Sequence, residues 1–425
     1  MHPGAPKQVV PKQIVVVPPS AICLVFDRLQ AGALGAYGNT WLPTPNLDEL
    51  AARSFLFDRC FADAPQLASA YQAYWYGRDA FSPASEAGQE SLAAQLKSAG
   101  VKTMLVTDAP EVASAPGAAD FAERILVEHE PVKRLAKSLE QTQLFRLMAA
   151  AIDAASEPSQ PFLLWIHARA MAGPWDAPFE LREQFVEEDD PPPGDFFELP
   201  SLRLAADHDP DELLPLRFAY AAQIVLVDHC VGAFLEAIDE RTKSAPGPLL
   251  WALTSPRGYP LGEHGFVGAT DEKLYNELVH VPLLLGSSDG TGAMARSNAL
   301  VAPADLFATL CDWWQLKETA PPWAASLLPN LRDPNDSAAR DRLALRTPHD
   351  RALRTAAWSL RLADDDRAEL FAKPDDRWEV NELADRCADV ATALRESLND
   401  YIRIRAEGKP ADLPPLTPEL RDEIH

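Results

Sequence analysis

The stretch ICLVFD at residues 22–27 decides the fold of this chain. Five apolar residues run without a break and end in one acid, Asp27. An unbroken apolar run of this length is typical of a strand that is buried on both faces. A strand with one solvent-exposed face instead alternates between apolar and polar residues. Comparable runs recur at residues 101–107, 161–167, 249–255 and 281–285. The pattern predicts a parallel sheet with helices on both of its faces.

Helical patterns lie between these runs. Thr44 and Pro45 predict the start of one helix, because threonine is a common N-cap residue and proline suits the first helical position. Its apolar face consists of Leu47, Leu50, Ala51 and Phe55. A second helix is predicted at about residues 213–239, where apolar residues recur at helical spacing. Strands that alternate with helices define an α/β protein with a mainly parallel central sheet.

Composition divides the chain into segments. Residues 1–20 look like a loose leader, and residues 21–345 form the predicted α/β domain. Within that domain, residues 186–212 are acidic and rich in proline, which indicates an exposed insertion. A lid or a partner-docking loop is the alternative for this insertion.

A small C-terminal α+β subdomain is predicted at residues 346–425. The preceding residues 316–350 are rich in Pro, Asp and Arg and are expected to act as a connector. The predicted elements of the subdomain are two short antiparallel strands and one helix, at residues 355–363, 369–372 and 386–404.

Charge and cysteine content limit the partners. The chain carries 63 acidic and 39 basic residues, a net charge of -24, and an acidic surface repels a phosphate backbone. Nucleic acid is therefore excluded, and a protein partner or a second copy of the chain is left open.

No run approaches the ~18 apolar residues of a membrane span, and no signal peptide is visible, so no membrane contact and a cytoplasmic location are expected. The five cysteines lack C-x-x-C spacing, which favours buried free thiols over disulfides or zinc ligands.

Six motifs occur along the chain in a fixed order. They are FDRLQAGALGAYGN at 26–39, TPNLDELA at 44–51, LGEHG at 261–265, KLYNELVHVPL at 273–283, SLLP at 326–329, and ELF at 369–371 with NELA at 381–384. Together they resemble the sulfatase family of the alkaline-phosphatase superfamily, over roughly residues 20–415. The resemblance implies the α/β sandwich of that superfamily, a calcium ion held by side-chain oxygens, and a nucleophile made by oxidation of a cysteine.

The segment that should carry the nucleophile departs from the family pattern. Pro65 and the pair GR at 77–78 resemble the ends of the family's S-P-x-C-x-P-S-R…T-G-R segment with unchanged length. This register places Leu67 at the cysteine and Tyr71 at the arginine. An alkyl side chain can neither attack an ester nor be oxidised to an aldehyde hydrate, so the resemblance implies that the catalytic nucleophile is missing.

The metal ligands implied by the resemblance are also changed. Asp27 matches a first ligand, but the family's T-S-D-H-G is here TSPRG, with Pro256 and Arg257 in place of two ligands. A dication 4 Å from the guanidinium would be repelled by roughly 8 kcal/mol at an effective dielectric near 20, so calcium is predicted to be absent. We expect Arg257 to occupy the metal position and pair with Asp27; the alternative is that both side chains turn to solvent. Ala172 stands where a substrate-contacting histidine is expected.

Two polar residues of retained motifs remain as candidates. His264 lies in LGEHG and serves either as a structural hydrogen-bonding group or in function. Lys273 resembles an oxyanion-contacting lysine of the family, or is simply solvated. The leading hypothesis is a catalytically inactive sulfatase-like protein with a role in binding, assembly or regulation. The alternatives are an active sulfuric- or phosphoric-ester hydrolase with a rearranged site, and an interaction module that works through the acidic insertion.

Overall fold

The structure of the protein is a computed structural model. It describes residues 19–82, 89–129, 131–156, 161–244, 247–268, 273–316, 321–334, 340–407 and 413–422. The strands are β1 Ser20–Phe26, β2 Phe55–Cys60, β3 Lys102–Thr107, β4 Glu123–Leu126, β5 Phe162–Ala168, β6 Leu202–Arg203, β7 Leu249–Thr254, β8 Phe266–Val267, β9 Leu283–Ser287, β10 Arg296–Val301, β11 Leu343–Arg346, β12 Asp350–Arg354, β13 Trp358–Ala363 and β14 Ala368–Ala372. The helices are α1 Pro45–Ala52, α2 Leu67–Tyr76, α3 Leu92–Ser98, α4 Pro110–Ala113, α5 Gln143–Ser156, α6 Phe179–Glu183, α7 Leu214–Ser244, α8 Asn276–Val279, α9 Pro303–Trp313, α10 Leu328–Arg332, α11 Ala388–Ala406 and α12 Pro418–Arg421.

The central sheet has eight strands in the order β10-β2-β9-β7-β1-β5-β3-β4. Strand β9 runs antiparallel to β2 and β7, and the other pairings in this sheet are parallel. The predicted, mostly parallel α/β sheet is therefore confirmed. Strand β1 lies between β5 and β7, so the residue that follows β1 is near the middle of the carboxyl edge of the sheet.

The sheet is buried on both faces, as the unbroken apolar run of β1 predicts. One face packs under α1, α5 and α7, and the opposite face packs under α2, α3 and α9. The side chains of β1 that point to the first core are Ile22, Leu24 and Phe26. Those that point to the second core are Ala21, Cys23 and Val25. No side chain of either set is more than 2% exposed, which explains why the run contains no polar residue.

Two details of the first predicted helix are wrong. Helix α1 ends at Ala52, and Phe55 begins strand β2 rather than continuing the helical face. Thr44 does not cap α1 with its side chain. Its hydroxyl instead accepts a hydrogen bond from the backbone N–H of Gly35 at 3.1 Å, which fixes the preceding loop.

The C-terminal region contains a second, antiparallel sheet. Its strands follow the order β11-β12-β13-β14, and α11 packs against it around Leu360, Leu394 and Leu398. The predicted small subdomain with a short antiparallel sheet and a helix thus has four strands instead of two. The predicted connector is not structureless, because α10 and β11 lie within residues 316–350, and β11 crosses the boundary drawn between 345 and 346.

The acidic insertion is anchored to the α/β domain. Its described residues are exposed or half-buried, but Phe196, Leu199 and Leu204 pack against the first core. Residues 1–18 of the predicted leader lie outside the described residues, and Ser20 already begins β1.

Helix α7 belongs to a long apolar segment. The stretch 210–241 has the length and hydropathy of a membrane span, and 78% of its most apolar window is buried inside the protein. It packs on the sheet as a core helix, which explains its apolar composition.

The five cysteines are free, as predicted. Four of them are buried, whereas Cys387 before α11 is half-buried.

Candidate functional site

Three neighbouring strands bring polar side chains together at the carboxyl edge of the central sheet. Asp27 follows β1 directly, Arg257 lies three residues after β7, and His167 is the penultimate residue of β5. Because β1 pairs in parallel with both β5 and β7, these three positions meet at one edge. Ligands of open α/β sheets bind in such crevices outside the carboxyl ends of strands.

Asp27 and Arg257 form a two-pronged ion pair. The Nε of Arg257 donates to Oδ1 of Asp27 at 3.0 Å, and Nη2 donates to Oδ2 at 3.0 Å. The side chains are 3% and 12% exposed, so the pair is almost fully withdrawn from water. The predicted pairing is confirmed, and the solvent-facing alternative is wrong.

The ion pair keeps Asp27 ionised in spite of its burial. Burial acts to raise the pKa of Asp27, but the charge and the hydrogen bonds of Arg257 outweigh it, so the pKa lies below its ordinary value. The turn that presents Arg257 is fixed by Ser255, whose hydroxyl donates to the backbone carbonyl of Arg257 at 2.6 Å. The same hydroxyl oxygen accepts from the backbone N–H of Leu29 at 3.2 Å, which ties the ends of β1 and β7 together.

The loop that precedes α2 reaches the same ion pair. Nη1 of Arg257 donates to the backbone carbonyl of Pro65 at 3.3 Å. Leu67, two residues further on, is the first residue of α2 and packs against the second core. The position that the resemblance gives to the nucleophile therefore lies close along the chain to a group in contact with Arg257, and it carries an aliphatic side chain.

Tyr71 faces the central strand of the site from α2. Its hydroxyl lies 2.7 Å from Nδ1 of His167 and accepts from Nε1 of Trp165 at 3.4 Å. Tyr71 is 1% exposed, and its ring packs against Trp75 with 4.5 Å between the centroids. The residue that stands at the family's arginine is thus built into the aromatic core.

His167 is a site residue that the sequence analysis did not single out. It is fully buried, and burial, the largest cause, lowers its pKa to about 4. Its Nε2 has no hydrogen-bond partner among the described residues, although Asp27 and Arg257 are near enough to affect its charge. A lone histidine inside an apolar strand gives no spacing signal, and only the pairing of β5 with β1 brings it to this edge.

Ala172 lies in a short 3-10 turn just after β5 and has no group that can donate or accept a proton. Next to this turn, the backbone N–H of Trp175 donates to the carbonyl of Phe197 at 2.9 Å. Leu199 lies against Gly173. The acidic insertion therefore covers the turn in which the family's substrate-contacting histidine is expected.

His264 contacts the C-terminal subdomain, whereas Lys273 lies beside Phe266 of the α/β domain. Neither forms a hydrogen bond or ion pair with Asp27 in the described chain. Nδ1 of His264 lies 2.7 Å from Oε1 of Glu277, and its ring stacks on Tyr275 with 3.6 Å between the centroids. The Nε2 of His264 lies 3.1 Å from the carbonyl oxygen of Glu379. The Nζ of Lys273 lies 4.7 Å from the ring centre of Phe266.

Burial and the surrounding charges shift the pKa values of His264 and Lys273 in opposite directions. Burial lowers the pKa of His264, but the hydrogen bond and charge of Glu277 outweigh it and raise the pKa overall. Burial, followed by the charge of Arg361, lowers the pKa of Lys273. The contact with Glu379 makes His264 part of the interface between the α/β domain and the C-terminal subdomain, and the charge of Arg361 in β13 acts on Lys273 across that interface.

Pro256 is buried and offers no side-chain oxygen to this edge. Across the described residues, no group of three or more His, Cys, Asp or Glu side chains is arranged to hold a metal ion. Both carboxylate oxygens of Asp27 are engaged by Arg257. A hard divalent cation needs several oxygen ligands, and these residues do not fit that requirement.

The eight-stranded, mostly parallel sheet with helices on both faces and a polar site at its carboxyl edge defines an α/β protein. The sulfatase family profile matches residues 19–316. The chain belongs to the sulfatase family.

Known relatives agree with this assignment. Human arylsulfatase D is 35% identical over 71 residues, which span 17% of this chain and 12% of that protein. The phosphonate monoester hydrolase of Agrobacterium radiobacter superposes with a TM-score of 0.73 at 17% identity, covering 92% of this chain and 96% of the hydrolase. The corresponding values for a 2-O GAG sulfatase are 0.71 and 18%, with 96% of both chains covered. The phosphonate monoester hydrolase of Silicibacter pomeroyi gives 0.72 and 17%, with 94% and 98% covered. At these identities the structural likeness establishes the fold.

Proposed function

We propose that this protein is a sulfatase-family member without hydrolase activity, in which Arg257 takes the place of the metal ion. The observation that carries the proposal is the two-pronged ion pair between Arg257 and Asp27. It supplies Asp27 with a positive charge that is covalently attached to the chain and cannot dissociate or lose its proton.

The charge balance of the site supports the absence of calcium. A buried carboxylate without a partner is unfavourable by several kcal/mol, so the loss of a cation requires a replacement. Arg257 is this replacement, because two of its N–H groups donate hydrogen bonds to the two carboxylate oxygens of Asp27. A calcium ion would have to displace the guanidinium and then remain beside it, against a repulsion of roughly 8 kcal/mol at 4 Å.

The groups around the ion pair support the absence of catalysis. Leu67 has no attacking atom, and Ala172 has no proton to transfer. Tyr71 bears a hydroxyl, but burial raises its pKa well above the ordinary value, which keeps the oxygen protonated and weakly nucleophilic. His167, with a pKa of about 4, is neutral at pH 7. Its hydrogen-bond partner is the same buried Tyr71, so it does not activate an exposed nucleophile.

The function that remains for such a protein is binding or regulation, with a protein partner or a second copy of the chain. The acidic segment at residues 187–190 is the contact we test first, because Glu187, Glu188 and Asp189 are consecutive exposed acids. Light scattering of the purified protein at several concentrations tests self-association, with a Glu187→Gln/Glu188→Gln/Asp189→Asn variant as the comparison. A dimer in both forms would remove the acidic segment from the interface.

Metal analysis combined with an ester panel tests the central proposal. The protein is purified in the presence of calcium, dialysed, and analysed by mass spectrometry for bound metals. It is then incubated with 4-nitrophenyl sulfate, 4-nitrophenyl phosphate and an aryl phosphonate monoester. We expect far less than one calcium per chain and no product above the uncatalysed rate. The hydrolase of Agrobacterium radiobacter, prepared in parallel, serves as the positive control.

One outcome would contradict the proposal. Turnover that copurifies with the protein, requires a divalent ion and disappears in an Asp27→Asn variant would establish an active hydrolase with a rearranged site. Turnover that persists in that variant would indicate a contaminating enzyme and leave the proposal standing.

A further inference from the structure

A large cavity lies away from the Asp27–Arg257 site, between the α/β domain and the C-terminal subdomain. Its volume is about 790 Å³, within the usual range of about 300–1,000 Å³ for small-molecule sites. Its walls come from the carboxyl ends of β2 and β10, from the start of α9, and from β11 and α11. It therefore combines residues of both parts of the chain.

The arginines of this cavity are already neutralised by carboxylates. Arg405 forms an ion pair with Asp79, with 2.6 Å between Nη2 and Oδ1. Arg340 pairs in the same way with Asp305, at 2.6 Å between Nη2 and Oδ1. The remaining two pairs of the lining join residues that are adjacent in sequence, Arg342 to Asp341 and Arg421 to Asp422.

Asp63 is the fourth acid of the cavity lining, and it differs from Asp79, Asp341 and Asp422 because it is not part of one of these ion pairs. It is 2% exposed, and Oδ2 accepts a hydrogen bond from the backbone N–H of Ala80 at 2.7 Å. Within the described part of the chain, no Arg, Lys or His nitrogen forms an ion pair with it. Burial, followed by the charge of Asp79, raises the pKa of Asp63 to about 7. A buried carboxylate of this kind is stabilised by a cation that enters from outside.

The rest of the wall is mostly apolar. Leu300, Leu343 and Ile404 are buried side chains of the lining, and the Trp323 ring lies beside them under the guanidinium of Arg405. We propose that this cavity binds a small organic cation, a primary amine carried on an apolar body, with Asp63 as its counter-ion. The apolar wall would bury the body of the ligand, and the ammonium group would neutralise the carboxylate. This site is independent of the proposed loss of catalysis.

Calorimetric titration of the full chain with 2-phenylethylamine tests the proposal. The neutral isostere 2-phenylethanol is the ligand control, since it shares the apolar body and lacks the charge. We expect the amine to bind and the alcohol to bind at least about tenfold more weakly. Binding of the amine should strengthen from pH 6 to pH 8, because Asp63 loses its proton in this range while the amine stays charged. The other titratable or charged groups around Asp63 include Asp79, Arg340, Arg405, Tyr401, Cys60 and Tyr74.

Three variants separate a built site from general attraction to an acidic protein. Asp63→Asn keeps an oxygen for the Ala80 N–H, removes the charge, and should weaken amine binding at least about tenfold. Asp153→Asn removes the same charge at an exposed position of α5 and should leave binding unchanged. Ala325→Phe fills part of the cavity without changing charge and should also abolish binding.

The possible results are distinct. Equal affinity in the Asp63→Asn and Asp153→Asn proteins overturns the proposal, as does equal binding of amine and alcohol. If Asp63→Asn does not fold, the Ala325→Phe protein decides, and unchanged amine affinity in that folded variant refutes the cavity as the site.

Discussion

Replacing Arg257 by methionine isolates the energetic role of the ion pair. The substitution keeps much of the aliphatic stem but leaves Asp27, 2% exposed, without its cation. Two unit charges about 4 Å apart at an effective dielectric near 20 attract by roughly 4 kcal/mol. Removing one partner of a buried pair typically destabilises by about 3–5 kcal/mol. We therefore expect the free energy of unfolding at pH 8 to fall by about 3–5 kcal/mol.

The loss of stability in the Arg257→Met protein should depend on pH, and the pKa of Asp27 gives the direction of that dependence. In the native protein the pKa of Asp27 is lowered, so its contribution is complete above its unfolded pKa near 4 and is lost as the pH falls through the folded value. The Arg257→Met substitution removes the charge and hydrogen bonds that lower the pKa of Asp27 most, while the burial that raises it remains. We therefore expect the pKa to rise in this variant, and protonation then relieves the buried charge. The loss of stability should therefore be larger at pH 8 than at pH 5.

Denaturation by guanidinium chloride, followed by tryptophan fluorescence, measures the effect. Arg351→Met is the matched control, because Arg351 and its partner Asp366 are 39% and 62% exposed, and such pairs contribute under about 1 kcal/mol. The Asp27→Asn/Arg257→Met double variant should recover most of the lost stability. A single Arg257→Met variant as stable as the Arg351→Met control, or a double variant no better than the single, would refute the reasoning.

Three further predictions concern the metal, the pH and the thiols. Pro256→Asp combined with Arg257→His should create calcium binding in the millimolar range without ester hydrolysis, measured by calorimetry and the ester panel, since Leu67 still offers no nucleophile; no calcium uptake would show that further ligands are missing. Burial lowers the pKa of His167 and of His280 to about 4, below their unfolded value near 6.5, so the stability that each contributes is complete above pH 6.5 and falls by about 2 kcal/mol at pH 5. Chemical denaturation at both pH values measures this loss, and His280→Gln should remove its share; an unchanged difference would contradict the assignment. In the native protein a thiol reagent should label Cys387 rapidly and the four buried cysteines only after unfolding, and rapid labelling of all five would argue against the packing described.

The parts of the fold that could be predicted from the sequence are those in which burial produces a local pattern of apolar residues. Strand β1 and its neighbours are apolar on both faces, and their runs are visible without any knowledge of pairing. Strand β2 was missed because only two residues separate it from α1, and Phe55 stands at a position that also fits the helical spacing. Strand β4 has four exposed residues, so it carries no burial pattern at all.

The site could be predicted only where one residue compensates another. The pairing of Asp27 with Arg257 follows from charge balance, since a buried carboxylate requires a cation and the ends of β1 and β7 are adjacent. The contact of Tyr71 with His167 could not be derived in this way, because it depends on how α2 packs against β5. His264 and Lys273 were placed near the same site by resemblance, whereas His264 contacts Glu379 of the C-terminal subdomain and Lys273 lies against Phe266.

The position of β1 in the middle of the sheet has a consequence for synthesis. Its hydrogen-bonding partners are β5 and β7, which emerge from the ribosome much later than β1 itself. Until Thr254 has been translated, at least one edge of this very apolar strand has no native partner, and such edges favour aggregation. During most of translation, β1 must therefore avoid non-native association without its full set of partner strands. Truncated products that end before β7 should be insoluble.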